Sequence, residues 1–483
     1  MLADKLFGKE WCEKFDNIEI TGIAYDSRTV MPGNVFVCIK GFETDGHKYV
    51  DSAVKNGAAV IVAQDEIDVS IPVWYVEDTR KALADISCTY YNNPSKSFKL
   101  VGVTGTNGKT TITYLLKSIL EEANMCVGVI GTNQNIIGDK VLLTQSTTPT
   151  TPNALELQQL FSEMESSMAD CVVMEVSSHA LELDRVRGCA FDVGVFTNLT
   201  QDHLDFHKTM ENYRKAKAKL FDISEKGVIN VDDEAGKLIA AEKDCEILKV
   251  GINSPCDFGA ENIQISAEGV DFDIVYKEEK YPVHLCIPGT FSVYNALCAA
   301  GAALSLGVDM PAIQKGLANA TGVVGRCEVV PTDTDYTVII DYAHTPDGLE
   351  NIIKAAKGFA KGNVITLFGC GGDRDSTKRA VMGEIAGKLS DYCIITSDNP
   401  RTEEPEKIVR MIEEGIKKTD AKYTLIVDRK EAIEYALRNA KKDDVIILAG
   451  KGQETYQIIG KEKIDFDERV VVYGLLRKIK EEN

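Results

Sequence analysis

One stretch constrains this chain more than any other. Leu100-Val101-Gly102-Val103 reads as a buried strand and Thr111–Glu122 spaces its apolar residues as a helix does, with Gly105-Thr106-Asn107-Gly108-Lys109-Thr110-Thr111 between them. A strand that turns through glycines directly into a helix belongs to an α/β arrangement, because the helix must pack back onto the sheet it has just left. Glycines let backbone N–H groups wrap a phosphate, and the helix N-terminus adds a favourable dipole. Lys109 supplies a point charge toward β/γ-phosphates, and Thr110 offers a hydroxyl to Mg²⁺. The general phosphate-loop pattern has glycine six residues before the lysine; Val103 stands there in this chain. The bland alternative, a chance Gly-Lys-Thr turn, loses weight because the strand precedes the loop and the helix follows it.

The alternation continues in both directions. Upstream, Val35–Ile39 and Ala58–Val62 are short strand-like runs, closed off by the turn-rich Asn92-Asn93-Pro94-Ser95-Lys96-Ser97. Downstream, Cys171–Val176 and Val193–Thr197 read as buried strands. The pattern restarts near Gly325-Arg326-Cys327, with Val338–Asp341, Val364–Phe368, Tyr392–Thr396 and Val445–Leu448 separated by helical stretches. Strands alternating with helices predict parallel sheets with crossover helices. At about 150 residues per domain, 483 residues suggest three domains. The expected division is a smaller N-terminal α/β domain over 1–98, a central phosphate-loop domain with a mononucleotide-binding parallel sheet over 99–327, and a Rossmann-like C-terminal domain over 328–483.

Charge and cysteine usage narrow the class of function. With 54 Lys+Arg against 74 Asp+Glu the net charge is −20, which argues against a general nucleic-acid or anionic-membrane binder. It leaves anionic small ligands open, because a local site can reverse the sign. Thirteen cysteines without a CxxC pair exclude a zinc ribbon or thioredoxin-like motif and suggest a reduced, cytoplasmic protein. The N-terminus has no basic and apolar leader pattern, and the apolar runs are strand-length, so no membrane span is expected.

Two clusters lie where strands are expected to end. Glu175, in Met174-Glu175-Val176-Ser177-Ser178-His179, is a carboxylate at a strand's C-terminal end, where open α/β sheets bind ligands, and its oxygens would suit Mg²⁺. The plain alternative is a surface ion pair. Thr197–His207 contains His203 and His207, four apart and so able to share a helical face; a zinc site is the generic reading, but no HExxH accompanies it. Four of six histidines (179, 203, 207 and 344) fall in such clusters. Tyr213–Lys219 (YRKAKAK) reads on its own as a solvated basic helix face.

Taken together, the ordered motifs GTNGKTT (105–111), MEVSSHAL (174–181), FTNLTQDHLDFH (196–207), YRKAK (213–217), DYAHTPDGLE (341–350), GCGGDRD (369–375), SDNPRTEEP (397–405) and GKGQETYQ (450–457) resemble the Mur ligase family over the whole chain. The resemblance implies an ATP-dependent amide ligase of cytoplasmic peptidoglycan precursor synthesis that works through an acyl phosphate. It implies ATP contacts from Gly105, Thr106, Asn107, Gly108, Lys109, Thr110 and Thr111, with Asn295, Asp341 and His344 near adenine and ribose and Arg326 near the phosphates. Magnesium would be held by Thr110 and Glu175, with His203 at a second ion. Lys217 would be carbamylated by CO₂, a change that needs a neutral amine; Arg214, three residues away, is one cation that would depress its pKa. Catalysis would rest on Lys109, Glu175, His203 and Lys217.

Ser27, Thr147, Thr148, Ser177 and Arg185 match positions that contact the UDP-muramoyl dipeptide, although Leu183 stands where the familiar pattern has glutamine. Gly41–Gly46 resembles the uridine-contacting loop. Arg374, Asp398, Asn399, Pro400, Arg401, Gly450 and Glu454 match amino-acid-binding positions. Family members with Asp-Asn-Pro-Arg generally take meso-diaminopimelate, whose distal carboxylate an arginine fork can bind through two parallel hydrogen bonds; lysine, ending in an ammonium, would be repelled. Glu454 would take the distal ammonium. The expected reaction is therefore addition of meso-diaminopimelate to UDP-N-acetylmuramoyl-L-alanyl-D-glutamate, with L-lysine as the alternative amino acid. Expected partners are small molecules alone, with no nucleic acid or membrane, and the chain is expected to act as a monomer.

Overall fold

The computed structural model describes residues 1–8, 18–42, 44–142 and 150–482. Three α/β units follow one another along the chain, each built on a mostly parallel sheet. In the first, Gly22–Ala24, Asn34–Val37, Val60–Ala63 and Val73–Tyr75 pair in sequence order, all parallel. The helix Thr79–Tyr90 covers one face, started by Asp78, whose carboxylate accepts from the N–H groups of Arg80 and Lys81.

The central sheet has 11 strands. At its middle, Phe191–Phe196, Lys99–Thr104, Cys171–Glu175 and Val127–Ile130 lie side by side and parallel. Apart from Lys99 and Asp192 near strand starts and Thr104 and Glu175 at strand ends, these strands are apolar, because helices cover both faces, as parallel sheets require. Phe258–Ile265, Val270–Tyr276 and Glu279–Leu285 extend the sheet as an antiparallel meander. The third sheet runs Glu328–Val330, Thr337–Asp341, Val445–Ala449, Val364–Phe368, Tyr392–Ile395 and Lys422–Leu425, parallel except for its first pairing. The out-of-sequence position of Val445–Ala449 puts two strand ends far apart in sequence beside each other.

One apolar core runs continuously from Val101 and Leu116 of the central unit to Phe368 and Ile447 of the third, whereas the first unit has two small cores of its own. The central and C-terminal units are also tied by Asn107 Nδ2 donating to Asp347 Oδ2 at 2.5 Å. The first unit meets the second through Tyr25, whose hydroxyl donates to Glu156 at 2.5 Å and accepts from Asn153 at 2.9 Å. Among the described residues the twelve cysteines are all free, and no helix is long and apolar enough to cross a membrane.

Candidate active site

The phosphate loop leaves the strand Lys99–Thr104 and enters the helix Lys109–Glu122. Its backbone needs glycine at two places. Gly105 has φ +147°, and an added Cβ would fall 1.8 Å from Thr197 Oγ1; Gly108 has φ +88°, and its Cβ would fall 2.4 Å from Asn295 Oδ1. Asn198 fixes the loop from the next strand, its Oδ1 accepting from Asn107 N at 2.9 Å. Thr197 Oγ1 donates to Asn107 O at 2.6 Å. Lys109 folds back over the loop and donates to the carbonyls of Gly105 and Thr106 at 3.0 and 2.8 Å; desolvation lowers its pKa.

Because the neighbouring strands are parallel, their C-terminal ends collect on one edge, and Glu175 arrives beside the loop. Its carboxylate is buried and accepts from Thr110 Oγ1 at 3.0 Å, Thr132 N at 2.8 Å and Thr132 Oγ1 at 3.1 Å. Thr132 was not singled out from sequence; its position after the strand Val127–Ile130 was the available signal.

Lys217 lies on the helix Met210–Ala218 and is 2% exposed. Its Nζ donates to Gly105 O at 2.7 Å and sits 4.5 Å from the Tyr213 ring centre. Among the described residues no carboxylate lies within ion-pair distance of it. Burial, followed by the nearby charge of Lys109, pushes its pKa well below the usual lysine value. Arg214 does not play the part expected of it: its guanidinium donates to Glu211 and Glu242, which neutralise it. The solvated-face reading of this helix also fails, since Tyr213, Arg214 and Lys217 are all buried.

The histidines divide in the same way. The helix Leu204–His207 is a single turn, with His203 outside it at φ 52°. His207 turns inward and bonds Ser178 Oγ through Nε2 at 2.8 Å, stacked on Tyr213. His203 faces His179, with ring centres 4.8 Å apart, and His207 lies 5.5 Å from the same ring. Among the described residues these histidines do not bring three ligand atoms together closely enough to share one ion. Burial lowers the pKa of His203 and brings His179 down to about 4.

Residues expected near adenine, ribose and phosphates line the junction with the third unit. Asn295 is buried against Gly108. Arg326 lies 4.5 Å over the Tyr342 ring and reaches Thr110 Oγ1 at 3.4 Å. Asp341 is held by the backbone N–H groups of Cys327 and Ala343 at 2.6 and 2.7 Å, while His344 Nδ1 is 2.9 Å from Tyr342 O.

On the opposite side, Ser177 caps the helix Ser178–Glu182 by accepting from Ala180 N, and Thr151 Oγ1 donates to it at 3.2 Å. Arg185 donates to Thr151 O at 3.1 Å, and its Nε is buried without a partner. Ser27 is buried at the start of a short 3₁₀ turn, after the Tyr25 contact with the central unit. Thr147 and Thr148 lie outside the described residues, as does Glu43 of the loop 41–46.

The third cluster uses two strand ends of the C-terminal sheet that flank Val364–Phe368. Asp398 and Asn399 are buried after Tyr392–Ile395, and Gly450 follows Val445–Ala449 with φ +113°, its would-be Cβ 2.6 Å from Asp398 Oδ2. Pro400 O lies against Gly372, and Arg401 Nη1 donates to Gly372 O at 2.8 Å. An added Cβ on Gly371 would lie 2.9 Å from Arg401 Nη1 and 3.8 Å from Arg374 Cγ, so these two arginines flank one glycine. Glu454 Oε2 accepts from Asn399 Nδ2 at 2.8 Å and from the fully buried Lys451 at 3.0 Å. Lys451 was missed from sequence, where it passes as part of a glycine-rich turn.

Comparison with known proteins follows the same three units. Residues 19–91 match the model "Mur ligase family, catalytic domain", residues 103–303 "Mur ligase middle domain" and residues 325–452 "Mur ligase, glutamate ligase domain". A UDP-N-acetylmuramoyl-L-alanyl-D-glutamate--2,6-diaminopimelate ligase of Caldanaerobacter subterraneus subsp. tengcongensis is 52% identical over 463 residues, 95% of each chain. The protein of that name from Clostridioides difficile is 47% identical, covering 96% of each. A solved structure of a ligase of the same name superimposes with a TM-score of 0.71 at 30% identity over 99% of both chains. A MurF ligase from Thermotoga maritima in complex with ADP shares the fold, with a TM-score of 0.66 at 21% identity over 96% of this chain and 98% of that one.

Proposed function

The chain belongs to the Mur ligase family, and on that premise we propose that it joins meso-diaminopimelate to UDP-N-acetylmuramoyl-L-alanyl-D-glutamate at the expense of ATP, in peptidoglycan precursor synthesis. The observation that carries the reading is the 52% likeness to a diaminopimelate ligase across 95% of both chains, which spans the phosphate loop, the dipeptide side and the Asp398–Arg401 loop together. The division of labour follows the three units, proposed as 1–98 for the nucleotide sugar, 99–327 for ATP and 328–483 for the amino acid. The working species is proposed to be a cytoplasmic monomer with small-molecule partners.

A carboxylate is a poor electrophile, so the reaction first transfers the γ-phosphoryl group of ATP to the dipeptide carboxylate. The amine of the incoming amino acid then attacks the acyl carbon, and phosphate leaves with the C–O bond's electrons. Lys109 and the N–H groups of 105–111 hold the phosphates, with Arg326 beside them. Thr110 Oγ1 and Glu175 Oε1, 3.0 Å apart and buried, form an oxygen-only donor set that fits magnesium. When bound, the ion offsets the negative charge that accumulates where two anions must meet. His203 stands at the same edge, in the position proposed for a second ion.

Lys217 suits carbamylation. Burial lowers its pKa and so favours the neutral amine, which can add carbon dioxide, forming an N–C bond and losing one proton, and so become an oxygen-donor anion. Arg185 and Ser177, together with Thr147, Thr148 and Ser27, would bind the nucleotide-sugar dipeptide. Arg401 and Arg374 would grip the distal carboxylate of diaminopimelate. Because Glu454 already accepts from Lys451 and Asn399, its role at the distal ammonium would be that of a carboxylate oriented in advance.

Phosphate release measured with ATP, magnesium and the UDP-muramoyl dipeptide tests the assignment. Turnover is expected with meso-diaminopimelate and strongly reduced with L-lysine. Faster turnover with lysine would overturn the amino-acid assignment, and no turnover with either would overturn the reaction.

A further inference from the structure

A buried ion pair lies beneath the amino-acid loops, outside every motif considered so far. Arg429 opens the helix Arg429–Asn439, and Glu468 opens the terminal helix Glu468–Glu482. Arg429 Nε meets Glu468 Oε1 at 2.8 Å, with side-chain exposures of 0% and 1%. The remaining arms of the guanidinium each reach a backbone carbonyl: Nη1 donates to Ser397 O at 3.2 Å and Nη2 to Ala449 O at 2.8 Å. Ser397 is the residue before Asp398-Asn399-Pro400-Arg401, and Ala449 is the residue before Gly450. A single planar group thus holds the last carbonyl ahead of both loops.

Local stability does not account for this arrangement. A cation in the first turn opposes the helix dipole. Burying both charges carries a large desolvation cost, and Glu468 Oε2 is buried without a partner. Strand pairing does not join these two strand ends either, since Val364–Phe368 lies between them. What the guanidinium supplies is a rigid fork of fixed width, which an ammonium cannot reproduce.

We propose that Arg429, oriented by Glu468, is a positioning residue for the amino-acid site, setting the separation between the Asp398–Arg401 loop and the Gly450–Glu454 loop. The proposal rests on the reading that these loops bind the amino acid. The test compares Arg429→Met/Glu468→Leu, which removes both charges together, with Arg429→Lys and Arg401→Ala in the full-length protein. Thermal melting and the KM values for meso-diaminopimelate, ATP and the UDP-muramoyl dipeptide are measured for each.

The double variant is expected to keep its fold, with a diaminopimelate KM raised about tenfold or more and the other two KM values within about twofold of the parent. Arg429→Lys keeps a cation but loses the fork and should show the same selective rise, which provides the readout if the double variant does not fold. A purely structural role predicts lower melting temperatures with an unchanged diaminopimelate KM, and that result in either folded variant overturns the proposal. If Arg401→Ala also leaves the diaminopimelate KM unchanged, the fault lies in the reading of the loops themselves.

Discussion

Glu403→Gln is a sharp test of how the loops proposed to bind the amino acid are held. Glu403 Oε1 and Oε2 accept from Arg379 Nη2 and Nη1, each at 2.8 Å, in a bidentate pair. Oε1 also accepts from Asp373 N at 2.6 Å, and Arg379 Nη2 reaches Gly371 O at 3.2 Å. The pair therefore fastens residues 371–373, next to Arg374, to the segment just after Arg401. The Arg379 hydrogen bonds, followed by the Asp373 N–H, hold the Glu403 carboxyl down from 4.5 to about 2.

At full strength that shift is worth roughly 3 kcal/mol. The Glu403 side chain is 26% exposed, so solvent screening reduces the figure to about 1–2 kcal/mol. Glutamine also leaves the Arg379 guanidinium, 1% exposed, without its anion, which brings the expected local loss to about 2 kcal/mol. The assay is amide hydrogen exchange over 370–374, since a chain of three units need not unfold in one step. The Asp373 amide should exchange about 30-fold faster in the variant at pH 7.

The sign with pH follows from the depressed pKa. The contribution is complete above the ordinary carboxylate value and is lost as pH falls through about 2, so the difference between parent and variant should narrow by about half near pH 3 and close below about pH 2. Equal protection at pH 7, or a difference unchanged at pH 3, would refute the reasoning.

Three further outcomes are expected. Lys217→Ala should lower phosphate release about 100- to 1000-fold, with partial recovery on adding a short carboxylate such as acetate; full activity without rescue would remove the carbamate role. Gly105→Ala should weaken ADP binding in titration calorimetry and destabilise the chain by about 1–3 kcal/mol, because the added carbon meets Thr197 Oγ1 at 1.8 Å. Arg401→Lys should raise the diaminopimelate KM by about tenfold or more, since a point charge cannot make two parallel hydrogen bonds to one carboxylate; an unchanged KM in steady-state kinetics would count against the fork.

Features set by local chemistry were legible in the sequence. The phosphate loop and the strands Lys99–Thr104, Cys171–Glu175 and Val364–Phe368 declare themselves through apolar runs and glycines. Which side chains meet across the fold was not legible. YRKAKAK looks uniformly basic, yet Lys217 is buried against Gly105 while Arg214 is neutralised by Glu211 and by Glu242, 28 residues away. The spacing of His203 and His207 promised a helical face, but the left-handed backbone at His203 leaves it outside the single helical turn, and the two rings meet His179 instead. Lys451, Arg379 and Arg429 are buried cations, which composition alone places at the surface. The meander Phe258–Leu285 escaped notice because its half-exposed strands alternate rather than run apolar.

The net charge of −20 conceals an arrangement sorted by depth. At the phosphate loop two amines donate to the same carbonyl, Lys109 at 3.0 Å and Lys217 at 2.7 Å from Gly105 O. Two ammonium groups that close repel each other, and the more buried one gives up its proton more readily. Lys217 is that one, and its shift arises first from burial and then from Lys109. Burial first, and the charge of Lys109 second, thus favour the neutral form of Lys217, the form that the proposed carbamylation needs. The proposed carbamylation would then place a negative charge beside Lys109, attracting it and keeping it charged for the phosphates. Surface acidity has little influence on this, because exposed charges beyond about 8–10 Å are screened by salt whereas the two amines share one oxygen.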